Sequence, residues 1–435
     1  MKIVFIILFQ LSLACSQEIP IDYFSSQSIK LLYDAGKNWQ SLTIFSPTSL
    51  KTYSKKERKI FNGEIGFDTK NSLQSIYGYS YFEYKNLYAY IYPVFLNNSL
   101  QVKGLHTNMI SSYENHSGVG FKNSWAVMQL GKGNESWGAG NDIQLALSER
   151  SGTYDYFLLA SDYGRIRVKY IHGFLENVSS NNRYITARGI EWSNQKTLII
   201  GLSEIVIYSG ENRSIDFGYI NPISSHLEIE LNNRLNIIGD SNSNAVWQLH
   251  LDYLIRKNVR ISFNLLYDEF VFDQDIEIGK EHGRAYAIRL ACTPPISKNY
   301  LITFYSSLVY VGTPTFRHEV GTNNFVQDER PLGWYGGSDG KEICVGVKYF
   351  NYKNMILNIS TGILQNGEET LTNNTFETYS DYLKGPFPSG EITNTFYLET
   401  SLIYSFRENY TILSSFNLSK DENIFSLGLT IPIFK

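Results

Sequence analysis

Residues 259–268 read VRISFNLLYD, with Val259, Ile261, Phe263, Leu265 and Tyr267 alternating with Arg260, Ser262, Asn264, Leu266 and Asp268. A period of two puts each set on one face of an extended strand. The pattern recurs elsewhere. Ala245, Trp247, Leu249, Leu251 and Tyr253 interleave with Val246, Gln248, His250, Asp252 and Leu254, and Ile343, Val345, Val347 and Tyr349 flank Cys344, Gly346 and Lys348. The chain closes on Phe425, Leu427, Leu429, Ile431 and Ile433, interleaved with Ser426, Gly428, Thr430 and Pro432. Segments of roughly 10 to 13 residues suit a tilted strand that crosses the hydrocarbon layer, whereas strands of soluble sandwiches run to about five or six.

Eighteen such segments can be marked, near 60–68, 73–84, 86–96, 116–131, 141–148, 154–161, 164–175, 184–193, 196–207, 243–255, 258–268, 283–292, 299–312, 340–350, 353–363, 394–405, 408–418 and 423–435. The connections at Lys85-Asn86, 193–195, Arg256-Lys257, Asn351-Tyr352 and Phe406-Arg407 are short and fall on one side. Those near 97–115, 208–242, 269–282, 313–339 and 364–393 are long and fall on the other, where three more, near 69–72, 149–153 and 419–422, are short. Short periplasmic turns facing long outer loops are the habit of transmembrane barrels, and an even count returns the N-terminus to the periplasm. A propeller would carry a repeat of about 40 residues with blade signatures, and none is found. The expected class is all-β: a transmembrane antiparallel barrel of about 18 strands.

Composition agrees. The 435 residues include 32 tyrosines and 26 phenylalanines, aromatics make up 15%, and charged residues are only 18%, lean for a water-facing surface. Few charges with many aromatics suit lipid-facing strands bordered by aromatic girdles. A net charge of −4 gives no pointer to nucleic acid. Lys2, an apolar run from Ile3 to Leu13, and Ala14 and Ser16 before Gln17 read as a secretory signal peptide over residues 1–16. Acylation at Cys15 is the alternative. Residues 17–58 read as a periplasmic lead-in with a short helix at Ser28–Ala35 stopped by Gly36, and 59–435 as the barrel. Cys292 has outward parity and Cys344 inward, so no bridge between them is expected.

Five stretches carry a family resemblance. Residues 130–149 (LGKGNESWGAGNDIQLALSE), 198–221 (LIIGLSEIVIYSGENRSIDFGYIN), 240–268, 317–340 (RHEVGTNNFVQDERPLGWYGGSDG) and 28–36 (SIKLLYDAG) resemble, in order, segments of the Wzi-type capsule-assembly family. The matching positions include Trp137, Gly138, Gly140, Glu204, Asp252 and Gly333, with departures at Ala139 and Gly337. The resemblance implies an 18-stranded outer-membrane barrel with periplasmic helical elements. It also implies a non-catalytic role in holding capsular or exopolysaccharide at the cell surface.

A lectin site needs aromatic faces for sugar rings and polar groups for hydroxyls. Arg317, Arg330, Trp334, Tyr335 and Asp339 in one long loop, and Tyr382 in the next, are the candidates; the competing reading is that such loops pack on themselves and plug the mouth. Arg165, Arg167, Lys169, Arg260, Arg289 and Lys348 share inward parity, because a cation at mid-bilayer on the lipid face costs about 2–4 kcal/mol. They form either a basic wall that attracts anionic polymer or braces paired to Asp252, Asp268 and Glu399. The seven histidines, His106, His116, His172, His226, His250, His282 and His318, show no metal-ligand spacing. Residues 336–340 (GGSDG) match the letters of a nucleophile elbow, but Ser338 ends a loop before a strand instead of joining a strand to a helix. The expected function is non-enzymatic, without cofactor or metal, in a monomer whose partners are surface polysaccharide and outer-membrane lipid. The rival is a porin-like diffusion channel or transporter.

Overall fold

A computed structural model describes residues 23–37, 59–70, 73–96, 116–123, 125–232, 234, 243–269, 282–378, 385–406, 410–419 and 423–434. The expected signal peptide, Cys15, Tyr382 and most of the lead-in lie outside those residues. Among the described residues, eighteen strands form one closed antiparallel barrel. They are β1 Lys59–Lys70, β2 Leu73–Tyr84, β3 Leu87–Tyr92 (continued past Pro93 by Val94–Leu96), β4 His116–Lys122, β5 Ala126–Gly133 and β6 Tyr154–Asp162. Next come β7 Ile166–Val178, β8 Asn181–Ser193, β9 Leu198–Glu211, β10 Ser243–Arg256, β11 Val259–Glu269 and β12 Gly283–Cys292. The wall ends with β13 Leu301–Val311, β14 Gly340–Phe350, β15 Met355–Asn366, β16 Thr393–Phe406, β17 Tyr410–Ser419 and β18 Asn423–Phe434. β18 pairs back onto β1, from Gly63↔Phe434 to Lys70↔Ser426, so the ladder has no free edge.

Outward positions such as Leu130, Leu202, Ile343, Val345 and Phe425 are about half exposed or more. So wide a perimeter of bare aliphatic and aromatic side chains is stable only against lipid, where a closed barrel also satisfies every backbone group. The chain is an outer-membrane β-barrel. Trp125 and Tyr163 (ring centroids 6.2 Å apart) and Tyr404, Phe406 and Tyr410 border the belt at the end with short turns. Those turns are built by asparagine. Asn194 Oδ1 accepts from the N–H groups of Lys196, Thr197 and Leu198, and Asn351 Oδ1 from Lys353, Asn354 and Met355, so the side chain substitutes for missing ladder bonds.

Several features differ from the sequence reading. The segment expected at 116–131 is two strands, β4 and β5, hinged at the turn near Asn123. The segment expected at 141–148 is no strand. Ile143, Leu145, Ala146 and Leu147 are all 0% exposed, so both parities are buried, and residues 134–153 form one loop folded into the barrel. The two differences cancel in the count and leave every later strand direction unchanged. Thirdly, tyrosines serve the interior as well as the girdle. Tyr77, Tyr88, Tyr90 and Tyr305 point inward, each directly across the ladder from a glycine (Gly66, Gly120, Gly118 and Gly346), where any Cβ would meet the ring. The ring lies flat over the space the glycine leaves, a cross-strand pairing that restores packing to an otherwise bare backbone.

The helix α1, Tyr23–Asp34, starts earlier than expected and ends as expected. Gly36 takes φ +63°, while Lys37 N–H donates to Leu32 O and Gly36 N–H to Tyr33 O, the paired bonds of a glycine-terminated helix. It lies within the barrel at the short-turn end: Leu31, Leu32 and Ala35 pack with Leu301, Phe350, Ile356, Ile403 and Leu413. The connection after β9 also departs from a simple outer loop. Its helices α2, Phe217–Ile220, and α3, His226–Leu231, pack against outward-facing residues of the wall.

The glycine–tyrosine pairing yields a test. Gly66→Ala lowers stability by about 1–3 kcal/mol, the usual cost of overpacking. On a Tyr77→Ala background the same change costs less than about half as much, because the ring it strikes is gone. Thermal midpoints of the detergent-solubilised barrel measure both.

Candidate functional site

The lumen is filled from both ends by charged side chains that meet in the middle. Asp34 at the end of α1 receives both Nη groups of Arg289, at 2.9 and 2.8 Å. The same guanidinium lies 3.4 Å from Asp142 of the inserted loop, and Lys348 lies 3.6 Å from that carboxylate. Lys30 of α1 reaches Glu149 of the loop at 2.6 Å. Helix and loop are therefore joined directly and through β12. Asp142 is partly withdrawn from water, which opposes ionisation, but Lys348, Arg289, Arg150 and Lys30 outweigh that and hold its carboxyl well below the usual range.

Of the six cations expected on the lumen wall, five are buried and each is ion-paired. Arg167 holds Glu191 at 2.9 Å and Asp162 at 3.4 Å, Lys169 holds Glu135 at 2.7 Å, and Arg260 pairs with Asp252 beneath the ring of Tyr33. Arg289 and Lys348 are paired as described. Arg165 is a correction: it lies exposed in the turn before β7 and faces no lumen. The arrangement is bracing, because a buried cation is tolerated only with its counter-charge. The braces differ in part from those expected. Asp252 takes Arg260, whereas Asp268 accepts from the backbone N–H of Phe316 and Glu399 from Asn417 at 3.2 Å. His250 faces Glu191 at 3.4 Å.

The family-like motif at Trp137 is the anchor of the inserted loop. Asn264 accepts from Ala139 N–H at 2.7 Å and donates to the carbonyls of Ala139 and Ile143, both at 2.9 Å. Gly138 and Gly140 take φ +122° and +78°, and a Cβ on Gly138 would strike Asn264 and Gln248. Trp137 Nε1 donates to Glu135 at 3.0 Å. Gly333 lets the next loop lie on the backbone of Leu145, so that Trp334 N–H donates to Leu145 O at 3.0 Å and Ser148 N–H to Leu332 O at 2.8 Å. Glu204, by contrast, faces outward and accepts from His226 N–H and Trp247 Nε1, both at 3.0 Å.

The glycan candidates divide by burial. Arg317 is 2% exposed and spends its guanidinium on Glu369 and on the carbonyls of Glu377 and Thr378. Asp339, fully buried, accepts from Thr313 Oγ1 at 2.7 Å, Ser389 N–H at 2.8 Å and Glu369 N–H at 3.2 Å. Trp334 is 2% exposed and donates to Glu342 at 3.2 Å. These three are loop fasteners without an outer face. Tyr335 and Arg330 keep partial exposure. The Tyr335 hydroxyl donates to Glu342, and Arg150 sits 4.6 Å above its ring. Seclusion, with Glu342 beside it, pushes that phenol well above its ordinary range, so it stays a donor. Glu342, which also receives Tyr397, is a hub that inward parity on β14 could have flagged. Ser338 is buried too, bonded to Glu369 O at 3.4 Å and accepting from Leu371 N–H at 3.2 Å, so the letters GGSDG form a loop clasp here.

Between helix, loop and wall lies a cavity of about 90 Å³, bordered by Lys30, Asp142, Arg150, Tyr335, Glu342 and Glu399. A cavity near 150 Å³ is what one benzene fills, so this one takes waters and not a sugar ring. Across the facing wall Gln248, His250, Asp252, Ser262, Asn264 and Thr303 are at most 1% exposed.

Solved structures with a similar chain path include Wzi of Escherichia coli, an outer-membrane protein involved in Group 1 capsule assembly and a carbohydrate-binding β-barrel. It superposes with TM-score 0.62 at 12% identity over 86% of this chain and 85% of that one. The likeness is one of fold. OprD of Pseudomonas aeruginosa gives 0.48 at 10% identity over 86% and 93%, and OccK3 of the same organism 0.47 at 8% over 87% and 97%. No protein-family model and no curated protein sequence matches the chain.

Two tests follow from the lumen. Arg289→Met leaves the buried Asp34 without its bidentate partner and removes one of the cations beside Asp142, a loss expected near 3–5 kcal/mol for a broken buried pair, read as a lower thermal midpoint. Because the folded pKa of Asp142 is depressed, its stabilisation is complete above the ordinary carboxylate value of about 4 and disappears only as pH falls through the lower folded one. Protection of the 134–153 loop from proteolysis is therefore unchanged between about pH 8 and pH 5, and Asp142→Asn lowers it throughout.

Proposed function

We propose that this barrel holds polysaccharide at the outer cell surface, without catalysis, on the face made by its distal loops. The observation that carries the reading is the occupied lumen. A diffusion channel needs a wide wet path, whereas here the lumen is narrowed by the helix and the inserted loop, which meet through Lys30–Glu149 and share Arg289. The 90 Å³ cavity is too small for a monosaccharide, so contact with polymer falls to the loop surface. The carbohydrate-binding character of the Wzi barrel, which has the same fold, supports the same role here. In this reading residues 1–16 direct secretion, 17–58 deliver the helix from the periplasm, and 59–435 form the wall and the binding loops.

The charge on those loops narrows the polymer. The cations expected to draw a uronate are consumed in the lumen, while the exposed charges of the described loops include Glu319, Glu329, Glu368, Glu377 and Glu391. A strongly anionic polymer would be repelled by that surface, and a neutral one would not. Arg330 is the candidate that keeps an accessible face, whereas the partial exposure of Tyr335 is toward the internal cavity.

Purified full-length protein in planar bilayers is expected to give no steady large conductance; a stable open pore would establish the channel reading instead. In parallel, neutral polysaccharide extracted from the host surface is expected to bind the detergent-solubilised barrel with little change from about 0.1 to 1 M salt, where screening removes only charge-driven contacts. Arg330→Ala weakens that binding several-fold with an unchanged thermal midpoint; no change on substitution removes Arg330 from the site.

A further inference from the structure

Near the distal end of β7–β10 the usual polarity of a barrel wall is reversed. Outward-facing Tyr170, Arg188, Glu204 and Trp247 stand side by side across four strands, as the register Tyr170↔Arg188, Arg188↔Glu204 and Glu204↔Trp247 requires. The rows beyond hold His172, Thr186, Val206 and Ala245, and then Phe174, Tyr184, Tyr208 and Ser243. One row toward the short-turn end, Ile190, Leu202 and Leu249 are exposed in the ordinary way. The inward residues of the same strands, Ile171, Ile185, Ala187, Ile205, Ile207 and Val246, are apolar and buried in the lumen core.

What covers the outward cluster is the α2–α3 connection. Tyr170 Oη donates to Tyr219 O at 2.9 Å, Arg188 to Asn221 O at 3.4 Å, and the Glu204 carboxylate accepts from His226 N–H while pairing with Arg188 at 3.3 Å. The Tyr219 ring stacks on Tyr208 at 4.6 Å, and Tyr208 on Tyr184 at 5.0 Å. The opposite side of this flap is mostly apolar: Phe217 is 75% exposed, Ile223 88%, Leu227 52% and Leu231 80%, with Ile215 and Ile220 beside them, and the ion pair Glu228–Arg234 with Asn232 is the exposed polar group of α3. The segment is amphipathic in the inverted sense, with Asp216, Tyr219, Ser224 and His226 on the protein and most of its aliphatic groups and Phe217 turned away.

Depth decides what those greasy groups meet. A strand tilted near 45° crosses the hydrocarbon in about 9–11 residues. Counting up from Trp192, on the short-turn side of the belt, the crossing ends near residue 183 on β8; from Tyr253 it ends near residue 243 on β10. The covered rows, from Arg188 to Tyr184 and from Trp247 to Ser243, fall inside that band. We propose that the flap at 212–232 is immersed in the outer leaflet, its exposed Phe217, Ile223, Leu227 and Leu231 in contact with lipid acyl chains. It continues the lipid-facing belt over Ile190, Leu202 and Leu249 and seals a polar cluster that could not face lipid directly.

Spin labels test this in the full-length barrel reconstituted into phosphatidylcholine vesicles. Cysteines are introduced one at a time by Phe217→Cys, Ile223→Cys and Leu231→Cys in a background carrying Cys15→Ser, Cys292→Ala and Cys344→Ser. All three sites are exposed, so the substitutions leave internal packing alone. Leu202→Cys reports the lipid-facing wall and Glu329→Cys the aqueous loop surface. Oxygen partitions into hydrocarbon and a water-soluble nickel chelate is excluded from it. The ratio of the two accessibilities at the flap sites is therefore expected to match that at position 202 and to exceed that at 329 on the order of tenfold. Flap ratios that match position 329, with position 202 still lipid-like, overturn the proposal.

Discussion

The guanidinium of Arg289 sits where three parts of the chain must agree. It is fixed to β12 by its place in the ladder, it holds Asp34 of a helix that enters from the periplasmic end, and it faces Asp142 of a loop that enters from the other. A charge this far from water is tolerable only when its partners are in place. The lumen is therefore specified as a set: the helix, the inserted loop and the register of the wall all have to be right for this one ion to be neutralised. The same logic governs Arg260 with Asp252, Arg167 with Glu191 and Lys169 with Glu135. The interior resembles the braced core of a solid body more than the lining of a pipe.

Much of the wall was legible because a half-lipid, half-protein surface writes a period of two into the chain. The run Val259 to Asp268 shows it plainly, and turn lengths then ordered the strands. Where the reading failed, the period remained but its cause differed. Residues 143–147 alternate like a strand, yet they are buried on both faces inside the lumen, and sequence periodicity carries no signal for that. The flap-covered stretch around Arg188 and Glu204 is subtler still. Parity was preserved, but the meaning of inside and outside was exchanged by a segment that packs on the wall from elsewhere.

The loop residues teach a related lesson about function. Trp334, Arg317 and Asp339 have the composition of a sugar site, and the fold uses them as fasteners. Residue type alone could not separate the two uses, since an aromatic ring or a guanidinium serves either. What separates them is the supply of local partners: Glu342, Glu369 and the Ser389 backbone are brought to them by the fold from elsewhere in the chain.

The placement of α1 has a consequence for how the molecule is put together. The helix comes first in the chain, yet it packs on β13 to β16, and its Asp34 binds a residue 255 positions downstream. Its docking is thus among the most non-local contacts available, and such contacts form late. Until the helix docks, Arg289 lacks Asp34 and must stay hydrated, with Asp142 of the inserted loop as its acidic neighbour. The nascent barrel is in this sense a water-filled vessel, and the arrival of its own leading helix displaces part of that water.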